Sequence, residues 1–254
     1  MKSLIRMIWM EAKLFLREPV NAFFTLVFPL MYLFLYGSIF SNMAVPQSGG
    51  QGTVDTFMGT IASYVPALTA MIIGTTGLMA TTITMASYRE RGILRRLRTT
   101  PVSPLVVFAS QVTVVFVMIS LGMALLVIVG RLVYHIRFDG NAFSVFGGFV
   151  LSCLSFLGIG FILAGSLPTT RSAQTVAMLL LYPNLLLSGA FFPLTLLPAG
   201  VQKVSSFMPL TYVVNLLRGL WIGEAWSLHV TDIIVLAALL VAGVLISTKT
   251  FRWE

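Results

Sequence analysis

The chain has 254 residues, of which 57% are hydrophobic and 9% are charged, and its mean hydropathy is +0.96. Several apolar runs reach about 20 residues, the length that a helix needs to cross the ~30 Å hydrocarbon core of a bilayer. These values exclude a soluble globular domain and favour an all-α integral membrane protein. The net charge of +8 then indicates contact with anionic membrane lipid rather than with nucleic acid.

The first predicted element, residues 1–18, is an amphipathic helix that lies in the membrane interface. At ~100° per residue its basic side chains form one stripe and its apolar side chains fill the neighbouring arc. Pro19 ends this helix. Such a helix lies along the bilayer surface with its basic stripe toward head groups and water. The residues assigned to the interface are Lys2, Arg6, Trp9, Lys13 and Arg17.

Six membrane-spanning helices are predicted next, because the apolar runs are continuous rather than alternating. Small residues in the fourth run, such as Gly158 and Gly160, permit close contact between helices. With the N-terminus inside, 12 of the 16 Lys and Arg residues fall on the cytoplasmic side, which predicts that both termini are cytoplasmic. The predicted spans are residues 20–40, 60–86, 104–130, 143–167, 173–192 and 229–248.

Five arginines crowd into ten residues after the second predicted span, within SYRERGILRRLRTTPVSP. On a helix over residues 88–98, Arg91, Arg95 and Arg98 share one face because they recur at i, i+4 and i+7. The residues alone leave two interpretations open. The helix is either a basic segment held at anionic lipid or a docking helix for a cytoplasmic partner.

The segment 191–228 is too polar and too rich in proline for a span, yet too apolar for a solvated loop. Its prolines divide it into short pieces, which predicts two short amphipathic helices at about residues 194–204 and 210–221. Irregular backbone at membrane depth needs protein around it. We therefore expect an extracellular re-entrant hairpin in the outer leaflet.

Ionisable residues are almost absent from the predicted spans, and Asp232 is the nearest candidate for binding a coupling ion. We favour another interpretation of Asp232, because the helix dipole stabilises an acid near a helix N-terminus. Glu224 and His229 lie close to Asp232 in the sequence but match no motif. An ion-coupled carrier remains an alternative function, and it depends on Asp232.

The sequence holds no pattern that predicts catalysis. It shows no metal-ligand spacing and no nucleophile with its base. The nearest match to a phosphate-binding loop, GVLISTKT, has Thr248 where the second glycine belongs. Cys153 lies in an apolar run and is expected to be a buried packing residue. We expect neither an enzyme nor a metal site, and a membrane scaffold is the alternative to a transporter.

Two stretches resemble type 2 ABC (ATP-binding cassette) exporter permeases. The first is SYRERGILRRLRTTPVSPLVV, in which an acidic residue, an arginine, a glycine and Leu-Arg-Arg-Leu precede Thr-Pro-Val-Ser. The second is SGAFFPLTLLPAGVQKVSSFMPLTYVVNLLRGLWIG, with Phe-Pro, Leu-Pro, Pro-Leu-Thr-Tyr and Leu-Arg-Gly in the family's order. The resemblance covers nearly the whole chain. The first stretch is most similar to the drug and antibiotic exporter branch.

The resemblance implies a function that is divided between chains. This chain and a second permease, either another copy or a close relative, would pair with two separate ABC ATPase subunits in a prokaryotic plasma (inner) membrane. Those subunits would bind ATP and magnesium, so no cofactor is expected in this chain. Closure of the ATPase dimer would act on a cytoplasmic coupling helix at residues 87–101 and switch the cavity from inward- to outward-facing.

The resemblance also assigns roles to residues. The amphipathic N-terminus would be the connecting helix, and residues 191–223 would be the extracellular re-entrant gate. The coupling residues implied are Arg89, Glu90, Arg91, Gly92, Leu94, Arg95, Arg96, Leu97, Arg98 and Pro101. The gate residues implied are Phe191, Phe192, Pro193, Pro198, Pro209, Tyr212 and Arg218.

The substrate is expected to be an amphipathic solute such as a drug, an antibiotic or a lipid-like molecule. Hydroxyl and aromatic side chains in an apolar interior suit such a solute, although the same side chains also serve ordinary helix packing. Polysaccharide, lipid-linked glycan and sodium exporters of the same family are the alternatives. The candidate residues of the translocation path are Thr75, Thr76, Thr82 and Tyr182.

Overall fold

A computed structural model of the chain describes residues 2–43, 64–93, 96, 104–136, 138–192, 194 and 198–250. Every regular element in these residues is a helix, which confirms the predicted all-α class. A short 3₁₀ turn, Trp226–His229, precedes the last helix. The helices are α1 (Lys2–Arg17), α2 (residues 19–43), α3 (Tyr64–Glu90), α4 (Pro104–Tyr134), α5 (Ala142–Ser166), α6 (Thr170–Leu187), α7 (Ala199–Ser205), α8 (Pro209–Trp221) and α9 (Val230–Thr250).

Within the described residues, four helical segments are long and apolar enough to cross a membrane. They are α3, most of α4, α5 and a segment that combines the 3₁₀ turn with α9, and they match the second, third, fourth and sixth predicted spans. The first predicted span corresponds to α2, whose apolar part is the shorter segment Phe23–Ile39. The fifth corresponds to α6, which has 18 residues. By length and composition, these helices make the chain a multi-pass membrane protein.

Glycine and proline set the helix ends around the predicted hairpin. Gly189 has φ of +83°, a left-handed conformation that glycine adopts without strain, and α6 ends just before it rather than at residue 192. The first hairpin helix begins at Ala199 instead of residue 194, with Pro198 in extended conformation at its N-cap. Pro209 opens α8, where the missing N–H of proline would have no intrahelical partner.

α3 lies at the centre of the fold and is the most buried of the long helices. Glycines let its neighbours approach closely. A Cβ added at Gly160 of α5 would lie 2.6 Å from the carbonyl oxygen of Gly77 in α3. On another face of α5, a Cβ added at Gly243 of α9 would lie 2.6 Å from the Cα of Gly158. The small residues of the fourth predicted span therefore do allow close helix contact.

In the described part of the chain, two helices contain π-helical segments, Phe23–Val27 in α2 and Ile73–Ala80 in α3. The segments contact each other through the hydroxyls of Thr25 and Thr76, whose oxygens are 2.9 Å apart in a buried hydrogen bond. Such segments are rare and are found frequently at functional sites. Both occur in helices that border the cavity described next.

Candidate functional site: a cavity and the two ends of the bundle

A cavity of about 320 Å³ lies between α2, α3 and α6. Its walls are mainly apolar and aromatic, with a few polar groups, which is the composition typical of a small-molecule site. Phe191, just beyond α6, also borders it and packs on Tyr32 of α2 with ring centroids 4.9 Å apart. The aromatic lining residues are Phe24, Phe28, Tyr182 and Phe191, and the polar ones are Glu18, Asn21, Thr25, Thr75 and Gln174.

Of the four residues predicted for the translocation path, two line the cavity and two make buried hydrogen bonds between helices. Thr75 and Tyr182 line the cavity. Thr82 is buried and donates to the carbonyl oxygens of Leu78, at 2.6 Å, and Gly160, at 3.1 Å, so its hydroxyl serves the contact between α3 and α5. Thr76 is also buried and bonds Thr25 in α2. Packing therefore accounts for Thr76 and Thr82.

The predicted site residues lie at opposite ends of the helices. At one end, which we call the arginine end, α3 finishes at Glu90 and α6 begins at Thr170. At the other, which we call the hairpin end, α5 starts beside α8, because a Cβ added at Gly140 would lie 2.2 Å from the carbonyl oxygen of Leu220. α4 connects the two ends with 31 residues, a length of roughly 46 Å.

Side chains at the arginine end tie α3 to the connection between α5 and α6. The guanidinium of Arg89 donates from Nη1 to the carbonyl oxygen of Gly165 at 2.8 Å. The carboxylate of Glu90 accepts from the backbone N–H of Thr170 at 2.7 Å and also from the Thr170 hydroxyl. Glu90 thus caps the positive end of the α6 dipole from another helix.

The prediction of one continuous helix over residues 88–98 is wrong. Residues up to Glu90 continue α3, and the helix ends in a turn at Arg91 and Gly92. Gly92 has φ of +65°, so it reverses the backbone where other residues would be strained. Helical bonding resumes after it, with the Arg96 N–H donating to the Gly92 carbonyl at 3.1 Å. Arg91 therefore lies in the turn that ends α3 and not in a continuous helix over residues 88–98.

Part of the predicted coupling segment can be placed. Arg91 and Arg96 are exposed, and Arg89 is half-buried. The remaining members lie outside the described residues. They are Leu94, Arg95, Leu97, Arg98 and Pro101.

The N-terminal helix forms as predicted, and one of its faces packs on α4. Arg6, Trp9, Lys13 and Arg17 are all exposed, with Trp9 73% exposed. The side chain of Lys2 lies outside the described part. The face toward the protein consists of Met7, Glu11 and Phe15, spaced four residues apart, and Phe15 contacts Val114 and Met118 of α4. The exposed apolar and basic faces fit a position in the membrane interface.

At the hairpin end, α7 and α8 form a short helical pair that packs on α6. Asn184 of α6 accepts from the backbone N–H of Leu210 at 3.2 Å, and this bond satisfies one of the free donors at the start of α8. Tyr212 donates its hydroxyl to the carbonyl oxygen of Ser206 at 2.6 Å. Phe192 is half exposed, Arg218 lies near the end of α8, and Pro193 lies outside the described residues.

The family of the chain follows from comparison with known proteins. The ABC-2 type transporter family matches residues 2–221, which include the cavity, the arginine end and the helical pair. The chain belongs to the ABC-2 type transporter family.

Individual relatives of this ABC-2 type chain are distant. It is 23% identical over 161 residues to the "Probable multidrug ABC transporter permease YbhR" of Escherichia coli, covering 63% of this chain and 44% of the relative. It is 30% identical over 99 residues to "Nodulation protein J" of Rhizobium leguminosarum, covering 39% and 38%. It is 26% identical over 217 residues to the "Putative transport permease ycf38" of Porphyra purpurea, covering 83% and 71%. The chain thus spans less than half the length of the first two relatives.

Sequence reasoning missed a cluster in this ABC-2 chain. His229 lies between two carboxylates, with Nε2 2.8 Å from Glu224 Oε2 and Nδ1 2.8 Å from Asp232 Oδ2. A Cβ at Gly219 would lie 1.9 Å from the same Nε2, so α8 accommodates the imidazole only because position 219 is glycine. Asp232 lies in the first turn of α9, as its preferred interpretation requires. The signal was present in carboxylates five residues before and three after a histidine.

A second missed residue lies on the N-terminal helix. Glu11 is only 3% exposed, and its Oε2 accepts the hydroxyl of Tyr88 from α3 at 2.8 Å. Burial raises the pKa of the Glu11 carboxyl above its ordinary 4.5, the Tyr88 hydrogen bond lowers it, and the charge of Glu18 raises it further. A helical wheel that separates basic from apolar positions does not predict a buried acidic side chain.

Proposed function

We propose that this chain is the membrane-spanning permease subunit of an ATP-driven exporter. With a second permease, a copy or a close relative, it forms the pathway that exports an amphipathic solute when a separate ATPase subunit hydrolyses ATP. The observation that carries this proposal is the family match over residues 2–221, together with a cavity inside the matched region. The aromatic and apolar lining with a few polar groups suits an amphipathic solute.

Two relatives whose names contain "multidrug ABC transporter permease" support a drug or a drug-like molecule as the cargo. Their similarity covers 63% and 62% of this chain. Asp232 gives little support to ion coupling, because its carboxylate is bonded to His229 in the first turn of α9. ATP hydrolysis by a partner remains the energy source that fits this chain best.

The proposed topology has six spans with both termini in the cytoplasm. α2 and α6, which are not among the four long apolar segments, are the other two proposed spans, and both border the cavity. The distribution of 12 of the 16 basic residues supports this orientation. In this orientation the arginine end faces the cytoplasm, and the hairpin end, with α7 and α8, forms the outer gate.

The arginine end is the proposed docking site for the ATPase. Arg91 and Arg96 are exposed there, while Arg89 and Glu90 bond the connection that leads into α6. A partner that binds the exposed arginines would act on α3 and α6 together. These are two of the three helices around the cavity, so docking and cavity are mechanically connected.

Charge reversal at Arg91, Arg95 and Arg98 tests this function. The triple Arg→Glu variant is expected to insert in the membrane but to lose at least ~90% of the co-purifying ATPase. The introduced glutamates would face, and be repelled by, the ATPase surface that is complementary to the arginines. The measurement is the ATPase content of the purified complex, together with ATP-dependent export of fluorescent amphipathic drugs. Lys203→Glu, which reverses the charge of an exposed side chain at the hairpin end, is the control.

Unchanged ATPase content and normal export in the triple variant would contradict the docking proposal. A panel of drugs, lipids and glycans, scored by stimulation of ATP hydrolysis in the wild-type complex, identifies the class of cargo. Stimulation by glycans alone would contradict an amphipathic drug or lipid-like substrate.

A further inference from the structure

A second cavity, of about 300 Å³, lies at the arginine end. It is bordered by α1, the start of α2, the last turns of α3 and the first turns of α4. Glu18, Asn21 and Ile83 line both this cavity and the first one. The second cavity is therefore a neighbour of the proposed translocation path, at the level of the interface helix.

Two buried side chains in its lining have an acceptor oxygen without a hydrogen-bond partner among the described residues. Glu11 uses one carboxylate oxygen to accept from Tyr88, while its Oε1 is buried and has no hydrogen-bond partner among the described residues. Gln111 of α4 is 4% exposed, and its Oε1 is likewise buried without a partner there. A buried acceptor without a donor is costly, because it has lost its water and gained nothing in exchange. Both side chains need a donor, and they line the same cavity.

The charged side chains in the lining also indicate a ligand with donor groups. Glu11 and Glu18 place two carboxyl groups at this cavity. The exposed Arg91 also borders it, but no salt bridge within 4.0 Å joins Arg91 to either glutamate in the described part of the chain. A ligand that supplies both N–H donors and a positive charge would compensate the buried carboxylate and the free acceptors together.

The exposed face of α1 indicates what kind of molecule carries the positive charge. Ile5, Trp9 and Leu16 are 62%, 73% and 56% exposed on the same helix that buries Glu11, as expected of a helix whose apolar face meets lipid tails. A ligand that enters beside α1 comes from the interface between head groups and acyl chains. It therefore has an apolar part as well as a charged group.

We propose that this second cavity binds the primary ammonium group of an amphiphile, with Glu11 as its counter-ion and Gln111 as a further acceptor. The ammonium belongs either to an ethanolamine phospholipid or to a free amphiphilic amine. The chemistry of recognition is the same for both sources, namely three N–H donors on one positive charge. The inference rests on the lining of this cavity and does not require that the chain be an exporter.

Titration of the full-length chain in a neutral detergent with dodecylammonium tests the site. Dodecyltrimethylammonium is the matched ligand, because it has the same charge and chain but no N–H donor. We expect dodecylammonium to bind at least about tenfold more tightly, and Glu11→Gln to remove at least about tenfold of its affinity. Asp139→Asn, an exposed carboxylate beyond the far end of α4, is the control variant and should leave the affinity unchanged.

A second variant separates ligand binding from a structural role of Glu11. Tyr88→Phe frees the other carboxylate oxygen, so the proposal expects dodecylammonium to bind as well as before or more tightly. A purely structural Glu11–Tyr88 contact predicts weaker binding in both variants. Equal binding of the two ligands, or unchanged binding in Glu11→Gln, would overturn the proposal.

The source of the ammonium is decided by competition. In phosphatidylcholine vesicles, added phosphatidylethanolamine displaces dodecylammonium if the natural ligand is the phospholipid. If phosphatidylethanolamine does not compete while dodecylammonium still binds, the ligand is a free amine. Either result supports the site and identifies its ligand.

Discussion

His229 has an unusual position, because both nitrogens of its ring face a carboxylate oxygen at 2.8 Å. A neutral imidazole has one donor and one acceptor, and an ionised carboxylate can only accept. Both hydrogen bonds form together only if the ring or one of the carboxyls carries an additional proton. Through its contacts with Glu224 and Asp232, the imidazole fastens the segment after α8 to the start of α9.

His229→Ala is expected to loosen this junction. Without the imidazole, the carboxylates of Glu224 and Asp232 would face each other with no donor between them. The loss should be about 1–3 kcal/mol of stability, since Asp232 stays largely buried while Glu224 is partly solvated. It is measured as a lower unfolding temperature of the purified chain.

The matched control for this substitution is His135→Asn. His135 is exposed and has φ of +51°, a conformation that asparagine tolerates. The two variants should differ clearly. If both unfold at the wild-type temperature, the His229 hydrogen bonds contribute nothing to stability.

At the scale of helices, the crossing of α5 and α9 depends on two glycines. The Cα of Gly243 and the Cα of Gly158 approach so closely that a side chain on either would meet backbone. Backbone cannot rotate out of the way as a flexible side chain can. The two helices would have to separate along their whole contact, which is among the most extensive in the described fold.

Gly243→Ala is expected to destabilise the chain by about 1–3 kcal/mol, because the new Cβ would lie 2.6 Å from Gly158 Cα. Gly158→Ala should have a smaller effect, since its Cβ would lie 3.1 Å from Gly243 Cα. Thermal unfolding in detergent measures both. Gly200→Ala in α7, where no atom of the described residues lies within 4 Å of the added Cβ, is the control and should not destabilise.

At the scale of the whole molecule, the single cysteine makes the proposed orientation testable. Cys153 is fully buried, so the wild-type chain should react slowly with a membrane-impermeant maleimide. Lys203→Cys at the hairpin end is expected to react in intact cells. Arg17→Cys at the end of α1 is expected to react only after the cells are permeabilised. The reverse pattern would show that the termini face outward.

Apolar run length, a one-dimensional property, was sufficient to predict the helical class and four of the long helices. The helical pair after α6 was predicted from the prolines of that segment, which lie where α7 and α8 begin. The course of the arginine segment was predicted wrongly. The spacing of its arginines at i, i+4 and i+7 favoured one continuous helix. Gly92 has a positive φ, however, and ends the helix there.

The features around the cavities depend on contacts between distant parts of the chain. Thr25 meets Thr76 across 51 positions, and Glu11 meets Tyr88 across 77. Neither pairing is encoded in local spacing, and the π-helical segments that bring the two threonines together have no compositional signal. The cluster at His229 is different. Its partners are local, because the two carboxylates lie five residues before and three residues after the histidine.

The hydrogen bonds of Glu90 restrict how α3 and α6 can move relative to each other. They join the end of α3 to the start of α6, and both helices line that cavity. Two rods joined at one end can separate only by changing the angle between them, so their separation grows with distance from the joint. At 1.5 Å per residue, Thr75 lies about 22 Å along α3 from Glu90, and a tilt of about 10° would widen the cavity there by about 4 Å. A rotation of that size beside the arginines would therefore open a gap about as wide as an alkyl chain.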